Sequence, residues 1–180
     1  MKAPRLIGMK IFLDKNLIGA VLLILAGCTT NKSESFEYNG GTIGLKRVND
    51  SLSYIFHEKN GEVISHWKLP YPVYRFDYGD FNGDSVPELA VGVTKSTLSS
   101  PQRANRLFLF KLYDKELIKP LWFGSRVTYK LIDFKVRRDT FPATIVTKEF
   151  NPLHNKTFEA EYKTHKGFGI ERIRIEETVH

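Results

Sequence analysis

Oxygen-bearing side chains recur at alternate positions along Asp80-Phe81-Asn82-Gly83-Asp84-Ser85-Val86-Pro87-Glu88. Asp80, Asn82 and Asp84 stand at loop positions 1, 3 and 5, and Glu88 stands at position 9. A hard cation takes six to eight oxygens, and alternate residues of a tightly wound loop point inward, so this is the spacing of a calcium loop. The backbone carbonyl of Val86 and water would complete the shell. A plain turn also favours Asp, Asn and Gly, but it requires neither the strict alternation nor Glu88.

No other constellation carries chemistry. The five histidines, His57, His66, His154, His165 and His180, lack metal-ligand spacing. There is no His-Glu-x-x-His and no Gly-x-Ser-x-Gly, and Gly167-Phe168-Gly169 lacks the rest of a dinucleotide fingerprint. No catalytic set is visible, so an enzyme is not the expectation, and calcium is the one expected cofactor. The aromatics Trp67, Tyr71, Tyr74, Phe76, Trp122, Phe123 and Tyr129 read first as core between packed sheets. The other use for them would be a sugar- or peptide-binding surface.

The elements that must hold the loop are strands. Alternating, β-branched and aromatic runs occur at 42–47, 52–57, 62–68, 73–78, 88–94, 106–113, 116–122, 128–136, 143–149, 156–163 and 168–175. Turn residues separate them, among them Asn49-Asp50, Asn60-Gly61, Asn82-Gly83 and Asn151-Pro152. Many short strands at this spacing predict an all-β domain. A shift of 55 residues superposes Trp67 on Trp122, Tyr74 on Tyr129, Phe76 on Leu131, Asp84 on Asp139, Pro87 on Pro142, Ala90 on Ile145 and Val91 on Val146. Internal repeats are therefore expected near 67–118 and 122–175, with 95–105 as a loop inserted in the first copy. A period of this length, at four strands per unit, predicts antiparallel, β-propeller-like blades. In this alignment Asp80 falls on Lys135, Asn82 on Arg137 and Glu88 on Ala143. The second copy has then exchanged its ion ligands for fixed charge, with Lys135 or Arg137 reaching Asp139.

Residues 78–92, Tyr-Gly-Asp-Phe-Asn-Gly-Asp-Ser-Val-Pro-Glu-Leu-Ala-Val-Gly, resemble the FG-GAP/VCBS repeats of integrin-type β-propellers. There a strand enters an Asp-x-Asn/Asp-Gly-Asp loop and leaves through Asp/Glu-Leu. The resemblance implies a calcium ion at the blade edge, held by Asp80, Asn82, Asp84, the Val86 carbonyl and Glu88. The chain departs from the pattern at Ser85, where the family often has glycine. It also has room for two full blades and a partial one at 42–66, whereas closed propellers usually carry at least four. An open or incomplete arrangement follows.

The N-terminus reads as a processing signal. Lys2, Arg5, Lys10 and Lys15 precede an apolar stretch, Leu17 to Ala26, of about ten residues, and a bilayer span needs roughly 20. Met9 to Cys28 alone would make a complete signal. Leu25-Ala26-Gly27-Cys28 resembles the lipobox of bacterial lipoproteins, which implies cleavage before Cys28 and acylation of that cysteine. Cys28 is the only cysteine, so no thiol would remain for disulfides or nucleophilic catalysis. Thr29, in place of an aspartate, points to the outer rather than the inner membrane. The chain carries a net charge of +7. Residues 1–27 hold four Lys/Arg and one Asp, which leaves +4; that is ordinary solubility charge, and no nucleic-acid partner is expected.

The expected organisation is a lipoprotein signal peptide at 1–27, a flexible tether at 28–41 and a single all-β domain at 42–180. The expected role is a lipid-anchored, calcium-stabilised binding or scaffolding module of the cell envelope, with a protein or glycan partner. The alternatives are a small calcium-dependent glycan hydrolase and an accessory subunit of an envelope complex.

Overall fold

The computed structural model describes residues 34–98, 100–124, 127–164 and 169–178. The expected signal peptide, the lipobox and Cys28 lie outside the described residues. Among the described residues, twelve strands make three four-stranded antiparallel sheets, each an uninterrupted meander. The first holds β1 (Ser35–Tyr38), β2 (Gly41–Asn49), β3 (Leu52–Lys59) and β4 (Glu62–Leu69). The second holds β5 (Val73–Gly79), β6 (Glu88–Thr97), β7 (Ser100–Tyr113) and β8 (Leu117–Phe123). The third holds β9 (Lys130–Arg137), β10 (Thr144–Asn151), β11 (Lys156–Thr164) and β12 (Ile170–Glu177). There is no helix among the described residues.

The local reasons are visible in the residues. Asn39-Gly40 and Asn60-Gly61 both have positive φ at each residue, the geometry of a tight hairpin turn whose twist matches its strands. They register Tyr38 against Gly41 and Lys59 against Glu62. In β3, Ser53, Ile55 and His57 are buried and alternate with half-buried neighbours, as a strand with one covered face requires.

Two cores separate the three sheets. Ile43, Leu45, Ile55 and Leu69 of the first sheet pack on Leu89, Val91, Phe108 and Phe110 of the second. Ala90, Leu107 and Leu109, on the second sheet's other face, pack on Leu131, Val136, Ile145 and Tyr162 of the third. The first strands also touch. Tyr78 of β5 stacks on Phe36 of β1 at 3.6 Å, and the Arg138 guanidinium lies 4.4 Å from the centre of the same ring.

Several sequence expectations are corrected here. The stretch 28–41 is not all tether, because β1 occupies Ser35–Tyr38 and Asn39-Gly40 is its hairpin turn. The segment 42–66 belongs to a complete first sheet, and the second and third sheets each begin a few residues after the Trp that closes the sheet before. Residues 95–105 are no loop: Lys95 pairs with Ala104 and Thr97 with Ser100, which lengthens the β6–β7 hairpin.

The uniform shift of 55 holds for Trp67 and Trp122, which sit opposite Ile55 and Leu109 in the last strand of their sheets. Elsewhere it fails. Val73, Phe76 and Tyr78 correspond to Leu131, Phe134 and Val136, an offset of 58. Leu89 and Val91 correspond to Ile145 and Thr147, an offset of 56, so the expected match of Val91 with Val146 joins opposite faces. The aromatics are largely core, as expected. Trp67, Tyr71 and Phe76 pack against the first hydrophobic cluster, and Tyr74 and Trp122 against the second.

Phe110 is fully buried, with Trp67 and Phe123 against its ring. Phe110→Ala is expected to lower unfolding free energy by about 3–5 kcal/mol, while Val48→Ala, at a half-exposed position, should change it by less than about 0.5 kcal/mol. Urea denaturation of the two variants checks the contrast.

Candidate metal centre

The loop 80–87 joins β5 to β6, and its own side chains hold its backbone. Asp80 Oδ1 accepts from the amides of Gly83 (2.7 Å) and Asp84 (3.2 Å), and Oδ2 accepts from that of Ser85 (2.8 Å). Asn82 Oδ1 accepts from the Asp84 amide at 2.8 Å, and Asp84 Oδ1 from the Val86 amide at 2.8 Å. Short polar side chains bonded to nearby backbone in this way give a turn its shape without a sheet ladder. Gly83 and Ser85 have φ of 82° and 66°. The serine that departs from the family pattern thus occupies a left-handed conformation, one that a side chain disfavours by about 1–2 kcal/mol.

Two apolar residues anchor the loop in different cores. Phe81 is buried in the cluster between the second and third sheets, and Val86 packs on the cluster between the first and second. The carbonyl of Asp80 accepts from the Ala143 amide at 2.8 Å, and that of Phe81 from Thr164 Oγ1 at 2.6 Å. Both donors belong to the third sheet or its turns.

Glu88, the first residue of β6, is 3% exposed. Its Oε2 accepts from the Phe81 amide at 2.8 Å. Burial pushes its pKa up to about 7, and the nearby Asp84 and Asp80 carboxylates push the same way, against the Phe81 hydrogen bond. The pKa of the Tyr38 hydroxyl is also raised, by burial and then by Asp84. The Asn82 amide lies between two acids, donating to Asp84 Oδ2 at 3.0 Å and Glu88 Oε1 at 2.7 Å. Asn82, Asp84 and Glu88 therefore meet directly. Asp80 is engaged by the turn's amides, and Val86 enters through its N–H. No group of three or more His, Cys, Asp or Glu side chains surrounds one point among the described residues. The donor chemistry nonetheless fits a hard cation, since the loop supplies carboxylate and amide oxygens, holds no cationic side chain, and crowds a buried carboxyl with like charge.

The corresponding turn of the third sheet, 138–143, is two residues shorter, and Arg137 pairs with Thr144 as Gly79 pairs with Glu88. Thr144, not Ala143, is the counterpart of Glu88, and Lys135 lies inside β9. Arg137 reaches Asp139 only at 3.9 Å. Its close partner is Glu161, bonded at 2.9 Å through both carboxylate oxygens, with Thr144 Oγ1 adding a 2.5 Å bond. Lys135 lies 3.8 Å from Glu159. Glu88, Arg137, Thr144 and Glu161 share the wall of a 1010 Å³ cleft between the loop and the third sheet. Sequence reading missed this cluster because Glu161 lies on another strand, with no spacing to announce it.

No family model matches the chain, and neither a curated protein nor a solved structure matches it.

The Glu88 shift has a defined consequence without metal. A carboxyl with a raised folded-state pKa binds its proton more tightly in the folded chain. Its stabilising contribution is full below the ordinary value near 4.5 and is lost as pH rises through about 7. In chelator, Tm is expected to fall across that window, and to fall less in Glu88→Gln. Thermal melts from pH 4.5 to 8 of both proteins check this.

Proposed function

We propose that the chain is a lipid-anchored protein of the cell envelope whose three sheets act as blades of an open, propeller-like binding or scaffolding module, with calcium seated in the 80–88 loop. The observation that carries the reading is the buried Glu88 carboxyl, pushed to about 7 by burial and by Asp84 and Asp80, in a loop anchored in both cores. An ion there would be held by Asp80, Asn82, Asp84, Glu88 and the Val86 carbonyl. It would neutralise the repulsion that the Asn82 amide now only bridges. The meeting of Phe36 of β1, Tyr78 of β5 and Arg138, just past the end of β9, supports the blade reading. The Leu25-Ala26-Gly27-Cys28 motif supports the anchor.

Thermal stability titrated with calcium tests the site. With a dissociation constant of about 10⁻⁴ M, typical of the tighter extracellular modules, about 1 mM calcium adds about 1.4 kcal/mol, a Tm rise of a few degrees. Asp84→Ala should abolish the rise. No shift in the parent protein at millimolar calcium sinks the metal reading. The anchor is tested separately: Cys28→Ser should move the protein from the membrane to the soluble fraction and remove the acyl mass from its N-terminus. An unchanged distribution and mass would count against lipidation.

A further inference from the structure

Two pockets flank the β6–β7 hairpin. One, of 230 Å³ on the side of the first sheet, is lined by Trp67, Tyr71, Lys95, Phe108 and Phe123 among others. The second, of 680 Å³ on the side of the third sheet, is lined by Trp122, Tyr129, Arg103, Lys130, Asn105 and Asn151 among others. Arg106 belongs to both walls. Each pocket thus contains one of the two repeat-equivalent tryptophans.

The charge of these walls is one-sided. Among the described residues neither lining includes an Asp or a Glu, although the chain has 20 of them against 27 Lys and Arg. The cleft beside the 80–88 loop, by contrast, counts Asp84, Glu88, Glu161 and Glu171 in its wall. Among the described residues Lys95 is held by neutral groups: its ammonium lies 4.3 Å from the Tyr71 ring centre, 5.6 Å from that of Phe108, and donates to Tyr71 Oη at 3.1 Å. Cation–π contacts hold such a charge in place without neutralising it. Arg103 and Lys130 likewise have no ion-pair partner among the described residues.

Both hollows combine aromatic rings with cationic and neutral polar side chains, and polar groups placed beside an apolar wall orient a small ring. Indole and phenol faces stack on the C–H face of a pyranose. Guanidinium and ammonium groups meet carboxylates, Arg in bidentate fashion. We propose that the two pockets together bind an acidic oligosaccharide of the uronic-acid type. Its ring faces pack at Trp67 and Trp122, and its carboxylates pair with Lys95, Arg103 and Lys130. A nucleic acid would call for a continuous cationic track along a backbone, whereas here cations are interspersed with neutral amides and hydroxyls at two discrete hollows. The inference deepens the binding-module reading but shares no residue with the calcium loop.

The full chain is titrated with trigalacturonate, with cellotriose as the uncharged comparator and a thymidine hexanucleotide as the phosphate polymer. Tryptophan fluorescence and calorimetry follow binding, each in calcium and in chelator. Trigalacturonate is expected to bind in both conditions with a roughly millimolar or lower dissociation constant, and cellotriose and the oligonucleotide to bind more weakly. Lys95→Gln and the double variant Arg103→Gln, Lys130→Gln should each weaken binding by about tenfold at unchanged Tm. Trp67→Phe, which leaves Trp122 as the reporter, should retain a binding signal. Absence of trigalacturonate binding, equal binding of cellotriose, tighter binding of the oligonucleotide, or full affinity in the charge variants each overturns the proposal.

Discussion

Burial of the middle sheet on both faces is the constraint from which the other placements follow. In β6, Glu88 to Val93 are buried without a break. A strand covered on both sides cannot alternate apolar with polar, and Leu89-Ala90-Val91-Gly92-Val93 does not. It alternates large with small instead. Leu89, Val91 and Val93 fill the first core, while Ala90 and Gly92 leave room on the other face. The Tyr74 ring lies so close over Gly92 that a Cβ there would meet it at 2.4 Å. Close packing leaves no slack for a larger residue. Size alternation in one strand thus sets how closely its own aromatics and the third sheet approach. In the first sheet, β3 keeps the ordinary two-residue rhythm.

The 80–88 loop inherits its importance from that position. It leaves the middle sheet and returns to it, with Phe81 in one core and Val86 against the other. Its backbone is already satisfied by Asp80, Asn82 and Asp84. What it lacks is compensation for charge, since Glu88 is buried beside two further carboxylates. An ion at this place would not have to fold the loop. It would remove repulsion at a junction on which two sheet interfaces depend, which suits a modest, tightening role better than a fold-creating one.

Much of this was legible in the residues, and the failures have physical causes. Strand periodicity and the Asn-Gly turn at 60–61 are local signals, and the alternating oxygens of the loop are local too. β1 was hidden because Ser-Phe-Glu-Tyr is short and follows a polar run, so that only its partner β2 reveals it. The extension of the β6–β7 hairpin was hidden because its pairs, Thr94 with Asn105 and Lys95 with Ala104, bury no apolar face. The repeat was read in the wrong register because both β5 and β9 carry an irregularity against their partners or in their own spacing, and their following turns differ in length. In a strand a one-residue slip exchanges the faces, so Val91 was matched to the wrong side of β10. The Arg137–Glu161 pair joins residues on different strands and leaves no trace in spacing.

The end of the stack has its own logic. β12 is an edge strand whose Glu171, Arg172, Arg174, Glu176 and Glu177 are all exposed. Lys163 meets Glu171 at 3.5 Å and Lys156 meets Glu177 at 2.8 Å. Exposed pairs of this kind contribute only about 0.2–1 kcal/mol each, so their main effect is not stability. A row of charges along an edge makes it costly for another strand to add there. The same sheet carries further exposed charge at Lys135, Glu159 and Lys163. An apolar surface would need a fourth sheet to cover it, whereas this surface can face water. The outward face of the third sheet thus presents mostly charge, with Thr144, Val146 and Glu161 buried among it.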